Sequence, residues 1–194
     1  MFSHTNFHPQ PSPNWEELAL AQRLNHTLPP INHHGLSLRR LEVDDLVIWF
    51  DYLRSDLVRS TISWDVKHER DLLNFIDYER GNQRKWALVD AQNRLVGTAG
   101  FHSFQLAHNA CEIAYDIAPE HWGKSYGTAL CRALSNWAHT SLNMKRISAT
   151  VMQSNVGSKR VLEKSGYNFE GILRSYRLVR GSYLDYFLYS SIVP

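Results

Sequence analysis

The 194-residue sequence is poor in several things, and each shortage closes a route to function. Its two cysteines, Cys111 and Cys131, are too few for a disulfide framework and lack the Cys-x-x-Cys spacing of a structural metal site. A reducing, cytoplasmic setting is therefore expected. No apolar run approaches the roughly 20 residues that a membrane-spanning helix needs, so no membrane partner is expected. Residues 1–13 are polar, carry three prolines and have no apolar centre, so they read as a loosely docked arm rather than a secretory signal. The formal charge is only +2 and the basic residues are scattered, which argues against nucleic acid as a partner. Ten histidines include a single adjacent pair, His33-His34, and no metal is expected. There is no internal repeat.

What is present suits an ordinary globular chain, with 43% apolar and 21% charged residues. The length allows one well-cored domain plus an extension. Asn14 can cap a helix running to about residue 24, and Pro29-Pro30 ends it. We accordingly divide the chain into an extension with a short accessory helix (1–30) and a single domain (31–194). Within that domain, 36–41 alternates as a first strand, 44–57 and 68–80 read as helices, and three strands follow over 85–89, 95–104 and 111–118. Helices over 124–141 and 155–165 then bracket a strand over 146–152. Two β-rich segments, 167–173 and 183–192, close the chain, joined by 174–182. That mixture is α+β, with one mixed sheet.

The organising stretch is 119–130, read Pro-Glu-His-Trp-Gly-Lys-Ser-Tyr-Gly-Thr-Ala-Leu. It lies between an apolar strand and an amphipathic helix. First-turn N–H groups lack intrahelical partners and the macrodipole favours negative charge there, so the stretch reads as a pyrophosphate cradle. Gly123 and Gly127 would let the backbone come close to a ligand. Gly123-Lys124-Ser125 resembles the end of a Walker loop, but the glycine that loop requires five residues earlier is Ala118, which excludes it. The Gly-x-Gly-x-x-Gly dinucleotide pattern is also absent. Further on, 153–167 reads as a helix capped by Asn155 and stopped by Gly166, with Asn155 and Ser158 one turn apart on one face.

Taken together and in this order, these stretches resemble the GNAT N-acetyltransferases, and specifically their RimJ/RimL branch. The matching elements are Trp122-Gly123-Lys124-Ser125-Tyr126, then Asn155 to Tyr167, then Glu170-Gly171, then Gly181 to Asp185, with Leu38-Arg39 as the opening. The resemblance implies the GNAT fold, a mostly antiparallel mixed sheet flanked by helices, and acetyl-CoA as co-substrate. It implies that backbone near Ile117 pairs with the pantetheine arm. Trp122 and the loop and helix start from Gly123 through Lys124, Ser125, Tyr126 and Gly127 to Thr128 would hold the pyrophosphate. Asn155 would contact the pantetheine, Ser158 would sit near the sulfur, and Lys159 would be a weaker phosphate contact. A homodimer is common in the family.

The chemistry needs a base to keep the attacking amine neutral, a donor for the developing oxyanion and a donor for the leaving thiolate, whose thiol has a pKa of about 8.5. Ser158 resembles the family's candidate for the last role. Glu112, the only carboxylate on the central strand before the splay that the resemblance implies, is nominated as base and Asp116 is second; alternation places both on one face of that strand. Three departures stand out. Ser125 replaces the usual glycine, Leu162 replaces a tyrosine that many members use, and Arg177 replaces an acid suggested as base in some RimL-like members. Arg177 is expected to be exposed, or else to recognise a carboxylate on the acceptor. Acceptor recognition is expected from 51–68 and 174–183. The expected function is direct transfer of an acetyl group to a primary amine, either a protein N-terminus or a small molecule. A non-catalytic acyl-CoA sensor is the alternative.

Overall fold

The computed structural model describes residues 20, 22–24, 28–33, 35–76 and 83–194. Seven strands form one sheet: β1 (Ser37–Arg40), β2 (Gln83–Val89), β3 (Leu95–Gln105), β4 (Ala110–Ile117), β5 (Arg146–Met152), β6 (Asn168–Val179) and β7 (Ser182–Ile192). Their order is β1-β2-β3-β4-β5-β7-β6, and every neighbouring pair is antiparallel except β4 with β5. A parallel pair needs a crossover, which helix α3 (Tyr126–Ser141) provides. The α+β architecture read from the sequence, one mixed and mostly antiparallel sheet flanked by helices, is the one observed.

Period-two side chains let the sheet bury both faces. In β2, Trp86 and Leu88 enter one core cluster, while Ala87 and Val89 enter the other. The first cluster gathers Leu130, Leu134 and Trp137 from the apolar stripe of α3. The second gathers Leu46, Trp49 and Leu53 from helix α1 (Val43–Leu53). Asp45 fixes the start of α1, accepting from the Glu42 N–H at 2.8 Å and from both terminal nitrogens of Arg39 at 2.6 and 2.8 Å.

Several boundaries differ from the sequence reading, each for a local reason. The expected helix over 44–57 breaks at Ser55, which is extended and accepts from the Val58 N–H to cap a separate turn, α2 (Asp56–Arg59). The expected helix over 68–80 is a 3-10 segment, Glu69–Phe75, whose Asp71 carboxylate accepts from the N–H groups of Lys67 and His68; residues 77–80 lie outside the described set. Of the accessory helix, residues 20 and 22–24 are helical and Leu24 is buried in the first core cluster, while 14–19 lie outside the described residues.

The largest correction concerns the C-terminal pair. The expected connector over 174–182 is strand, because β6 and β7 form one long hairpin closed by Arg180-Gly181, both at positive φ (47° and 85°). Two positive-φ residues match the right-handed twist of the flanking strands. A bulge at Ser175 (φ 48°) shifts the register between Leu173 and Arg177, and the Asp185 carboxylate holds it by accepting from the Ser175 N–H at 2.8 Å.

Candidate active site

β4 and β5 pair only from Ala110↔Arg146 to Glu112↔Ser148. Beyond that register they diverge, although β4 runs on to Ile117 and β5 to Met152. The divergence opens a cleft of about 760 Å³ that extends from Trp64 and Phe75 to Gly127 and Thr128. Helix α4 (Val156–Lys164) forms one wall, and its Ser158 Oγ lies 3.0 Å from the Tyr115 hydroxyl of β4. Burial pushes the Tyr115 phenol well above its ordinary pKa, with Cys131 adding to the rise and the Ser158 hydrogen bond opposing it. Tyr115 therefore stays protonated and able to donate.

At the mouth of the cleft stands the start of α3. Its first intrahelical bond runs from the Ala129 N–H to the Ser125 carbonyl at 3.0 Å, so the N–H groups of Tyr126, Gly127 and Thr128 precede the ladder. Ser125 makes no side-chain cap, and no acidic residue occupies the first turn. A 16-residue helix presented this way, with neither a side-chain cap nor an acid in its first turn, offers N–H groups and a dipole that favour negative charge. Ser125 adopts the left-handed conformation (φ 61°, ψ 11°) that its glycine counterpart would take without cost. Gly123 also has positive φ, 77°, in open space. At Gly127 a Cβ would lie 3.2 Å from a Val161 methyl, so the missing side chain also permits the close approach of α3 to α4.

The remaining residues named from the sequence separate into two groups. Trp122 donates its indole N–H to the Ile117 carbonyl at 2.7 Å, which occupies the acceptor expected to meet the pantetheine. Asn155 caps α4 by accepting from the Ser158 N–H at 2.9 Å, and its amide donates to the Thr61 carbonyl at 3.1 Å, so both ends of its side chain are engaged internally. Lys124 lies 3.4 Å from His121 Nδ1. Lys159 sits over the Phe187 ring at 4.5 Å, while Arg160 and Lys164 of the same helix line the cleft.

The opposite end of the cleft holds the ionisable groups. Glu112 accepts from the Thr150 N–H at 3.2 Å and from its hydroxyl, with Arg177 Nη2 at 3.9 Å. His102 of β3, paired with Glu112 in the sheet, places Nε2 4.0 Å from the Glu112 carboxylate and Nδ1 2.8 Å from Ser103 Oγ. Burial pushes the His102 pKa down; Arg177 and Lys85 reinforce that and Glu112 opposes it, so the imidazole is neutral at pH 7. Asp116, the second nominee for base, accepts from Thr98 Oγ1 at 2.7 Å and from the Tyr52 hydroxyl, with Lys85 Nζ at 3.3 Å. That carboxylate is consumed by structure.

A strand splay facing an uncapped helix N-terminus is the geometry that the resemblance implied. The model of the Acetyltransferase (GNAT) domain matches residues 36–168. The chain belongs to the GNAT acetyltransferase family. An uncharacterized N-acetyltransferase, p20 of Bacillus licheniformis, is 30% identical over 162 residues, covering 80% of this acetyltransferase and 91% of the relative. A GNAT-family acetyltransferase structure from Bacillus anthracis superposes with a TM-score of 0.74 at 25% identity, covering 84% of this chain and 97% of that one. The spermidine N-acetyltransferase of Vibrio cholerae, solved with CoA and spermine, gives a TM-score of 0.70 at 25% identity, covering 81% and 95%.

Three site features of this acetyltransferase escaped the sequence reading. Arg177 is not simply exposed, because the Ser175 bulge accompanies a guanidinium that reaches Ser63, Thr150 and the neighbourhood of Glu112. The Tyr115 hydroxyl was legible only as strand. His102 stands opposite Glu112 because the register shifts between His102 and Gln105; counting outward from the turn at 108–109 would set Gln105 there instead.

Proposed function

We propose that this chain transfers the acetyl group of acetyl-CoA directly to a primary amine in a ternary complex, as a RimJ/RimL-like member of its family. The observation that carries the reading is the uncapped start of α3 at the mouth of the β4/β5 splay. The fit to acetyl-CoA rests on three features of the chain. The N–H groups of Gly123 to Thr128 and the dipole of α3 face a diphosphate. Arg160 and Lys164 add positive charge along the same wall. The diverging edges of β4 and β5 leave backbone groups for the pantetheine amides, and Asn155 and Trp122 shape that passage. Acetyl-CoA supplies an activated acyl carbon and a thiolate leaving group.

The overall change is balanced: an N–C bond forms, the C–S bond breaks, the amine gives up one proton and the sulfur receives one. The His102–Glu112 pair is assigned the amine proton. The neutral imidazole accepts it, and the Glu112 carboxylate 4.0 Å away stabilises the imidazolium that results. Ser158 donates toward the sulfur. With Tyr115 as the donor in their 3.0 Å hydroxyl contact, the serine hydroxyl hydrogen is left for the sulfur, and Tyr115 is assigned the part of the tyrosine replaced by Leu162.

The test is a thiol-release assay with acetyl-CoA across a panel of peptides, amino acids and small amines. Release that depends on both acetyl-CoA and an amine is expected. Calorimetric binding of acetyl-CoA with no release for any amine would instead identify an acyl-CoA sensor.

A further inference from the structure

We propose that the acceptor is a small amine that also carries a carboxylate, and that Arg177 and Tyr186 form the site for that carboxylate. The inference rests on the acetyl-transfer reading and names the acceptor class for the same cleft.

Charge matching comes first. The carboxylates that line the acceptor end are each already opposed by a basic side chain. Lys85 Nζ lies 3.3 Å from Asp116, and Arg177 Nη2 lies 3.9 Å from Glu112. Arg84 lines the same region. A polyamine entering here would bring its second ammonium toward Arg177 and Lys85, with no unopposed carboxylate among the described lining residues to receive it. Like charges at such range in a partly desolvated cleft are repulsive. The arrangement therefore disfavours a polycation of the kind bound in the Vibrio cholerae structure.

Arg177 itself is held like a receptor group. Its Nη1 and Nη2 meet two neutral hydroxyls, Ser63 and Thr150, both at the long distance of 3.3 Å, and Glu112 lies beyond hydrogen-bond range. The rings of Tyr176 and Tyr186 flank the guanidinium, with centroids 5.1 and 5.5 Å away. A planar fork oriented by aromatic faces is the preferred partner of a carboxylate, which takes two parallel N–H bonds.

Tyr186 supplies an independent observation. It lines the cleft and is 2% exposed, and its buried hydroxyl has no hydrogen-bond partner among the described residues. A buried phenol left unpartnered costs stability, and native structures rarely keep one without a use. A carboxylate oxygen on Arg177 would accept from that hydroxyl. The amine of the same molecule would then lie toward Glu112 and His102. An amino-carboxylate satisfies all of these groups at once; a peptide N-terminus, whose carboxyl is an amide, does not.

The experiment measures kcat/KM by thiol release for matched pairs, each a free α-amino acid and its carboxamide, with spermidine alongside. The free acid of at least one pair is expected to exceed its amide by ten-fold or more. In Arg177→Gln that ratio should collapse toward one, mainly through KM, and Arg177→Lys should restore part of it. Tyr186→Phe should reduce the ratio several-fold. Because the readout is a ratio within one preparation, loss of folded enzyme does not mimic the result. Preference for amides or spermidine, a ratio unmoved by Arg177→Gln, or no turnover of any amino acid would overturn the inference. Turnover of those other amines would leave acetyl transfer standing, whereas failure to bind acetyl-CoA in calorimetry would sink the transfer reading itself.

Discussion

Replacing Ser125 by glycine isolates the one strained residue in the cradle. Ser125 sits at φ 61° and ψ 11°, caps nothing with its side chain and is exposed, so little but the backbone conformation changes on substitution. A non-glycine residue in the left-handed region costs about 1–2 kcal/mol. Glycine removes that cost but loses about 0.5–1 kcal/mol through the greater freedom of the unfolded chain. The net expectation for Ser125→Gly is stabilisation by roughly 0.5–1 kcal/mol, a rise in Tm of about 1–4 °C for a chain of this size. Ser125→Val should go the other way by more than about 1 kcal/mol, since a β-branched residue tolerates positive φ poorly. Thermal and urea unfolding of the three proteins, with and without acetyl-CoA, provides the measurement. A glycine variant less stable than the parent by a kcal/mol would refute the strain argument and imply that the serine hydroxyl makes a contact of its own.

Three further expectations follow from the electrostatics. Glu170 is held by Arg146 and by Ser190 Oγ, which lower its pKa from 4.5 to about 2. A folded pKa below the unfolded one means stability present above pH 4.5 and lost as the pH falls toward 2. With both partners about one-third exposed, screening reduces the contribution to about 1 kcal/mol. The urea midpoints of Glu170→Gln and the parent should therefore converge between pH 5 and 2, and parallel curves would contradict this.

Burial raises the Cys111 and Cys131 thiols to about 12 and about 11, so neither should react with a thiol reagent at pH 8 faster than the protein unfolds. Rapid stoichiometric labelling of the folded chain would show that the core is not closed around them. For His102→Gln, kcat/KM should fall about 100-fold. The acid limb below pH 6.5 should disappear with it, since the imidazole must be neutral to accept a proton. Glu112→Gln should keep that limb but move it to lower pH, because Glu112 raises the His102 pKa. A limb that survives His102→Gln would assign the base elsewhere.

Much of this was readable in the chain because periodicity and capping agree locally. The β5 strand occupies the expected residues 146–152, and the apolar stripe of α3 faces the core as its spacing requires. The strand, turn and helix around 119–130 were legible for the same reason, because each element follows from residue types alone. The misses are non-local. Arg180 at positive φ is a poor turn signal, so the long C-terminal hairpin looked like two strands and a connector. The hidden bulge at Ser175 then left the orientation of Arg177 undetermined. His102 and Tyr115 matter only through what stands opposite them, Glu112 across the hairpin and Ser158 across the splay, and neither relation is written in local sequence.

The central claim is that the α3 cradle and the splayed strands bind acetyl-CoA and deliver its acetyl group to an amine. The most direct measurement titrates acetyl-CoA by calorimetry and then adds an amine panel to the same preparation while free thiol is followed. The account predicts saturable one-to-one binding, weakened by inorganic pyrophosphate, followed by amine-dependent thiol release. Absence of binding, or binding that pyrophosphate leaves untouched, would contradict it.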